Sequence, residues 1–290
     1  MKSYLAEKMF LQKDFPLSIT HAKQRQAMVP HYHDFIEIVL VAQGHTIHNI
    51  HMQDGREVSY GLIQGDLFSI LPYEVHGYSD SKNLVIYNVA LHPELISAEL
   101  PELSRLSSWE TLFNPHPRKF RNRVHLLPFQ RSGAEQCLKK AILALSMQRP
   151  GHRLSAKTQL LEFLLIAAHV EPVEWKADVD SINTHFFESL EELEAAPEKP
   201  FHLGKIARNA GMSVSGYTKK FREMTGLSPL DYCINLRIEH ARKLLIETDV
   251  SLSEIAGQTG FCDSNYLIKL FRLRHGITPS RYRRLITSSS

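Results

Sequence analysis

The sequence predicts an α+β protein whose first half is a β-barrel or jelly roll and whose C-terminal third is all α. Three observations lead there. Short strand-like segments separated by glycine turns run from Leu17 to Ala90. Two segments of helical periodicity, Ala134–Met147 and Ser155–Ala168, follow them. The last ninety or so residues then carry one unit twice. A chain of 290 residues is long enough for two domains with separate cores, and 43% apolar with 22% charged residues is a globular composition.

In the first half, the expected strands are Glu37–Ala42, Thr46–Met52, Arg56–Tyr60, Asp66–Leu71 and Leu84–Ala90. Gln53-Asp54-Gly55 reads as the hairpin turn between the second and third of these. The later of the two middle helices carries Leu160, Leu161, Phe163, Leu164, Leu165 and Ile166, so it is apolar around most of its girth. Such a helix is buried on more than one side, against its own domain, in a dimer interface, or both. Glu171 to Asp178 is polar and proline-punctuated. The expected division is therefore residues 1–170 as a first domain, 171–181 as linker, and 182–290 as a helical domain opening with a helix over Ile182–Ala195.

The repeat is the most specific feature. Ile206-Ala207 recurs as Ile255-Ala256 and Gly211 as Gly260, an offset of 49. After one extra residue inside Cys262-Asp263-Ser264, the offset is 50: Tyr217 and Leu267, Phe221 and Phe271, Gly226 and Gly276, Pro229 and Pro279, Tyr232 and Tyr282. Each copy reads as helix, glycine turn, helix, over about residues 203–225 and 252–275. Ser213 suits the cap of one second helix, and Asp263 or Ser264 the other. Ser251-Leu252-Ser253-Glu254 is a capping box. Between the copies, Leu230, Ile234, Ile238, Ala241 and Leu245 line one face of a long joining helix from Leu230 to Ile246. From Pro200 onward there are 14 Lys+Arg against 7 Asp+Glu, while the remainder has 20 against 24. A basic, duplicated helix-turn-helix unit behind a mildly acidic body points to DNA, with each second helix in a major groove.

Residues His202 to Arg284 resemble the paired DNA-binding domain of the AraC/XylS family of bacterial regulators. The likeness is carried by Glu254-Ile255-Ala256-Gly257-Gln258-Thr259-Gly260-Phe261, by Asp263-Ser264-Asn265-Tyr266, and by Gly276-Ile277-Thr278-Pro279-Ser280-Arg281-Tyr282-Arg283. The resemblance implies a cytoplasmic homodimer that controls transcription, as an activator working with RNA polymerase, through two successive major-groove contacts. By position, it offers Val214, Ser215, Thr218 and Lys219 from the first recognition helix, and Ser264, Asn265, Tyr266 and Lys269 from the second. Asn265 suits adenine N6/N7, and Lys219 or Lys269 suits guanine or phosphate. The chain departs from the family pattern at Gly216, inside a helix, at Lys220, where an apolar residue is usual, and at Leu267, where Phe is frequent.

The first half holds one chemical constellation: His31-Tyr32-His33-Asp34-Phe35-Ile36-Glu37, with His76 farther on. On an unbroken strand, a period of two sends His31, His33 and Glu37 to one face. The set resembles the cupin pattern, whose barrel often holds a metal. Here Pro72 to His76 is compressed, and the asparagine expected after it is missing. Three readings stay open: an effector pocket, which is the leading one, a divalent metal site, and structural polar groups at the barrel mouth. His45, His48 and His51 read as scattered surface or pocket-edge residues. Within the family, His33-Asp34-Phe35, Glu37-Ile38-Val39, Asn83-Leu84 and Asn88-Val89 look most like regulators of rhamnose operons, which implies a sugar effector.

No cofactor is required by this reading, a metal in the barrel being the alternative. The rival from another class is a metal-dependent cupin enzyme carrying an accessory DNA-binding domain. No nucleotide loop, Ser/Cys–His nucleophile signature or redox cysteine pair supports other chemistry, so the expectation is a protein that is not an enzyme. Three widely spaced cysteines, Cys137, Cys233 and Cys262, fit a reducing cytosol, and no stretch has the length and apolarity of a membrane span or secretion signal. A nucleoid-type protein with little sequence preference fits poorly with polar base readers in two units.

Overall fold

The computed structural model describes residues 2–5, 10, 14–24, 28–52, 55–113, 123–170 and 184–287. The chain divides into two compact units, Met1–Ile182 and Asn183–Ser290. The expected linker at 171–181, residue 182 and two of the three residues of the 53–55 turn lie outside the described residues. No helix among the described residues is long and apolar enough to cross a membrane.

Among the described residues the first unit has eight strands: β1 (Lys2–Tyr4), β2 (Leu17–Lys23), β3 (Met28–His33), β4 (Ile36–His51), β5 (Glu57–Ile63), β6 (Asp66–Ile70), β7 (Val75–Leu91) and β8 (Arg123–His125). Its axis is the antiparallel pair β4–β7, in register from Ile36↔Leu91 to His51↔Val75. The outer edge of β7 pairs with β2 and β3, and that of β4 with β6 and β5. β1 extends the β3 edge and β8 the β6 edge. The described pairings thus form an open path, not the closed ring expected of a barrel.

Two of the expected strands, Glu37–Ala42 and Thr46–Met52, are one strand, β4. Its register against β7 shifts between Val41 and Ile47. Gly44 sits in this irregularity at φ +78°, where a Cβ would lie 2.3 Å from the Lys82 carbonyl oxygen. Bulges of this kind bend a strand while keeping it paired.

Alternation along β4 splits the core into two layers. Val39 and Val41 point to one face with Tyr60, Leu62, Phe68, Ile70, Tyr78, Leu84 and Ile86. Ile38 and Leu40 point to the other, where Leu138, Leu160, Phe163 and Leu164 cover the sheet. These last belong to α3 (Pro128–Met147) and α4 (His152–Ala168), preceded by short helices α1 (Leu100–Leu103) and α2 (Trp109–Phe113). The α4 helix buries one face on its own sheet while Leu154 and Leu165 stay exposed, as do Leu143 and Met147 of α3.

The second unit holds α5 (Thr184–Ala195), α6 (Leu203–Asn209), α7 (Val214–Thr225), α8 (Pro229–Glu247), α9 (Leu252–Gln258), α10 (Ser264–His275) and α11 (Pro279–Thr287). The α6–α7 and α9–α10 pairs are the two predicted helix-turn-helix copies, and α8 is the predicted joining helix. Around the first copy Phe186, Tyr217, Phe221 and Tyr232 form an aromatic chain, with ring centroids 5.2 Å apart for Phe186–Tyr217 and 5.3 Å for Phe221–Tyr232. Around the second, Ile238, Ala241 and Leu245 of α8 pack on Ile255, Ala256, Leu267 and Phe271.

One side chain ties these pieces together. The Arg237 guanidinium on α8 donates to the carbonyls of Pro197, Lys199 and Gly260, at 2.7, 2.8 and 2.7 Å. The 197–199 segment and the turn of the second copy are thereby held against one helix. They approach so closely that a Cβ on Gly260, at φ +78°, would lie 2.4 Å from the Glu198 carbonyl oxygen. Gly260→Ala is therefore expected to destabilise the helical unit by at least about 1–2 kcal/mol, the left-handed backbone strain alone. Gly204→Ala, in a helix with nothing within 4 Å, should stabilise it by about 0.5–1 kcal/mol. Thermal unfolding of the two variants followed by circular dichroism checks the opposite signs.

Candidate nucleic-acid interface and buried histidine site

The two recognition helices, α7 and α10, are built alike. Ser213 accepts the Gly216 amide at 3.1 Å, and Asp263 accepts the Tyr266 amide at 2.8 Å, so Asp263 and not Ser264 is the second cap. Both helices end at a left-handed glycine, Gly226 and Gly276. One face of each is fixed inward, by Tyr217 and Phe221 in α7 and by Leu267 and Phe271 in α10, each pair fully buried. Helical spacing then turns the predicted base readers outward. Val214, Ser215 and Lys219 are exposed and Thr218 half-buried; Asn265, Tyr266 and Lys269 are exposed and Ser264 half-buried.

The departures from the family pattern have local reasons. At Gly216 a Cβ would lie 3.1 Å from Ser213 Oγ, the hydroxyl that caps the helix. The Lys220 ammonium lies over the Phe186 ring at 5.3 Å, so its chain takes up the space of an apolar residue and burial lowers its pKa. Leu267 fills its position fully buried.

In the first unit the structure brings His31, His33, Glu37 and His76 together, but not on one strand. Bends at Asp34 and Phe35 separate β3 from β4, so the unbroken strand that the period of two requires is absent. The convergence comes from register: His31 on β3 pairs directly with His76 on β7, and their rings lie 4.1 Å apart. Glu37 meets them from β4, with Oε2 at 2.9 Å from Nε2 of His33 and 3.8 Å from Nε2 of His76. One ligand atom each from His31, Glu37 and His76 lies within 4.8 Å of the others. The four residues are between 0% and 6% exposed.

Burial raises the Glu37 pKa, and the His33 contact with the nearby His76 and His31 more than offsets it, leaving the carboxyl below its usual value. Burial lowers His31, and it takes His76 and His48 down to about 3, so those two imidazoles are neutral at physiological pH. Glu74, half-buried beside them, is raised by desolvation while its Oε2 accepts the Leu71 amide at 2.7 Å.

His45 and His48 are 2% and 1% exposed, so of the surface or pocket-edge reading the surface half does not hold for them; His51 is half-buried beside Glu57. The irregularity around Gly44 shifts the β4 register, so an inward set at Glu37, Val39 and Val41 becomes one at His48 and Ile50. His48 donates to or accepts from the Tyr60 hydroxyl at 2.8 Å and stacks on Tyr78. Asn88 of β7 reaches the cluster, its Nδ2 donating to Oε1 of Glu37 at 2.5 Å. A separate cavity of about 730 Å³ lies on the opposite face of β4, lined by Ile36, Ile38, Leu91, Trp109 and Phe113, with Ser104 and Glu110 at its edge.

Comparison with known proteins adds the following. A helix-turn-helix domain profile matches residues 206–285, and an AraC-like ligand binding domain profile matches residues 17–164. The chain is 24% identical over 282 residues to the HTH-type transcriptional activator RhaR of Escherichia coli, an alignment covering 97% of this chain and 96% of that protein. To RhaR of Salmonella schwarzengrund it is 26% identical over 297 residues, covering 96% and 97%. Among solved structures, the DNA-binding domain of AdpA in complex with a target DNA is 30% identical, covering 36% of this chain and 95% of that one, with a TM-score of 0.35.

The Tyr266 amide holds the Asp263 carboxyl below the usual carboxylate value. A depressed folded pKa means that the cap's stabilisation is complete above the ordinary Asp range and disappears as pH falls through the lower folded value. Asp263→Asn should flatten that acid limb of the unfolding profile of the helical unit. Equal pH dependence in the two proteins below pH about 4 would remove the charged cap from the account.

Proposed function

The chain belongs to the AraC family of DNA-binding transcription regulators, and from that premise we propose that it is a sugar-responsive activator acting on promoter DNA in the cytoplasm. The observation that carries the DNA half is the pair of like-capped helices, each with a buried aromatic or aliphatic face and a polar, outward one. Val214, Ser215, Thr218 and Lys219 serve the first half-site; Ser264, Asn265, Tyr266 and Lys269 serve the second. The sugar rests on the likeness of the first half to regulators of rhamnose operons.

His31, His33, Glu37 and His76 are closed off from solvent, so we place the effector in the cavity beside Trp109 instead. Its volume of about 730 Å³ is within the range of small-molecule sites, and an aromatic wall with a few polar groups at the rim suits a sugar ring. An effector changes DNA binding only through unequal affinity for the DNA-competent and DNA-incompetent arrangements. By family resemblance the regulator is a homodimer that works with RNA polymerase, and the exposed Leu143, Met147 and Leu154 of α3 and α4 are its dimer face. The relatives named above are regulators, and no catalytic step is assigned to this chain.

The test is binding to the chain's own upstream and neighbouring promoters at fixed salt, with and without a panel of sugars. Sequence-selective binding altered by one sugar supports the switch; no selective binding under any condition removes it. Within a bound site, Asn265→Ala is expected to cost about 1–3 kcal/mol and to relax specificity at one base pair. Lys269→Ala should weaken all sequences alike and lower the salt slope by about 1 if it meets phosphate. Leu154→Glu should move sedimentation from dimer to monomer and leave thermal stability nearly unchanged, since its side chain is 72% exposed.

A further inference from the structure

The two helix-turn-helix copies share one backbone plan, so their surfaces can be compared position by position. In α10 the polar groups that face outward are uncommitted. Among the described residues, the Asn265 carboxamide and the Lys269 ammonium are exposed and make no hydrogen bond or ion pair. In α7 the matching groups are engaged within their own helix or its cap. The Ser215 hydroxyl lies 3.3 Å from that of the Ser213 cap, and the Thr218 hydroxyl donates to the Val214 carbonyl at 2.8 Å. Lys219 Nζ lies 4.0 Å from Oε1 of Glu223, and Lys220 is turned over the Phe186 ring. Glu223 corresponds at the offset of 50 to Leu273, and α10 has no carboxylate of its own. The Asp263 cap beside α10 is spent on the Tyr266 amide, at the positive end of the helix. The helices before them differ in the opposite sense. Lys205 and Arg208 of α6 are exposed, and the matching positions of α9 are Glu254 and Gly257. Glu254 is committed to its capping box with Ser251.

We propose that the two copies divide the work on DNA: the first positions the chain on phosphates through Lys205 and Arg208 of α6, the second reads sequence through Asn265 and Lys269 of α10, and Glu223 keeps Lys219 out of base reading. Phosphate contacts fix register without carrying sequence information, and contacts to base edges carry it. The first helix of a helix-turn-helix crosses the DNA backbone, so exposed cations belong there if the unit is to position the chain. The recognition helix reads bases with side chains whose donors and acceptors are free, as the Asn265 amide is for adenine. The separation of 4.0 Å between Lys219 and Glu223 is well inside the screening length of about 8–10 Å at physiological salt. At a nearby phosphate or guanine the two charges therefore largely cancel. An exposed pair of this kind adds little to folding, so the effect of Glu223 falls on the DNA contact. The inference rests on the DNA-binding reading and says which half of the domain discriminates between sequences.

The experiment uses the full chain and a library of randomised DNA duplexes, selected at fixed salt, with the enriched duplexes then titrated over a range of salt. The result expected for the wild type is one strongly constrained half-site, where each mismatch costs about 5–150-fold, and a weakly constrained one about a helical turn away. Asn265→Ala should erase the strong half. Lys205→Ala with Arg208→Ala should weaken all sequences alike, keep the consensus and lower the salt slope by about 1 per residue. Arg208→Lys keeps the charge and should keep the slope. Glu223→Gln should tighten binding to all sequences several-fold and steepen the slope by up to about 1. These side chains are exposed, so the variants keep their fold, which circular dichroism reads directly. Two equally constrained half-sites, or a consensus erased by Ser215→Ala with Lys219→Ala and not by Asn265→Ala, would overturn the division of work. Weaker binding by Glu223→Gln would overturn the part given to Glu223 and make its carboxylate a reader of the cytosine amino group. No enrichment by the wild type would remove the DNA-binding reading itself, so that failure is distinguishable from failure of the division.

Discussion

Pairing of β4 with β7 along the whole of both strands is the constraint on which the first unit depends. An antiparallel ladder of this length, from Ile36↔Leu91 to His51↔Val75, fixes which residues face each other on two layers at once. It sets Ile38 and Leu40 toward the helices, sets Val39 and Val41 toward the interior, and brings Asn88 level with Val39 so that its amide reaches Glu37. A slip of one residue would turn every one of these side chains to the other face. The irregularity at Gly44 is where the ladder changes phase, and it is what turns His48 inward.

The second unit answers a different constraint. Two short helix-turn-helix units have little core of their own, so both lean on α8, which gives Tyr232 to one and Ile238, Ala241 and Leu245 to the other. Arg237 closes this arrangement by donating to three main-chain carbonyls. A guanidinium presents donors in a planar fork and suits this use better than an ammonium. The recognition helices inherit their orientation from these contacts, and their outer faces are free to carry base-reading residues because their inner faces are fully committed.

Polar groups are treated oppositely in the two units. In the helical unit the recognition-helix starts are capped and the buried Glu239 is paired with Arg242 at 2.6 Å. In the sheet unit a carboxylate and several imidazoles are withdrawn from water together, although desolvation raises Glu37 and lowers His31, His48 and His76. Burial of that kind persists only where something outweighs it. A nearby charged pair, Arg123 with Asp66 at 2.8 Å, shows an ordinary solution, with opposite charges in contact and the Ile63 amide on the carboxylate. Among the described residues, no lysine or arginine plays that part for Glu37.

The helical unit is nearly complete in the sequence, because its signals are local. Capping residues, glycine stops, the 49-to-50 offset and helical periodicity each act within a few residues of the structure they specify. The joining helix is expected over Leu230–Ile246 and spans Pro229–Glu247. The first unit is legible only in outline: strands, a core pattern and the identity of four converging residues. Their convergence follows, in the sequence, from a strand that does not run through Asp34 and Phe35; what unites them is the pairing of β3 and β4 with β7, between segments far apart in the chain. The same non-local pairing hides His48 and Asn88. Helix signals are written in neighbouring residues, whereas strand register is decided between distant segments, so the sequence determined the DNA-binding scaffold and the tertiary structure decided the histidine site.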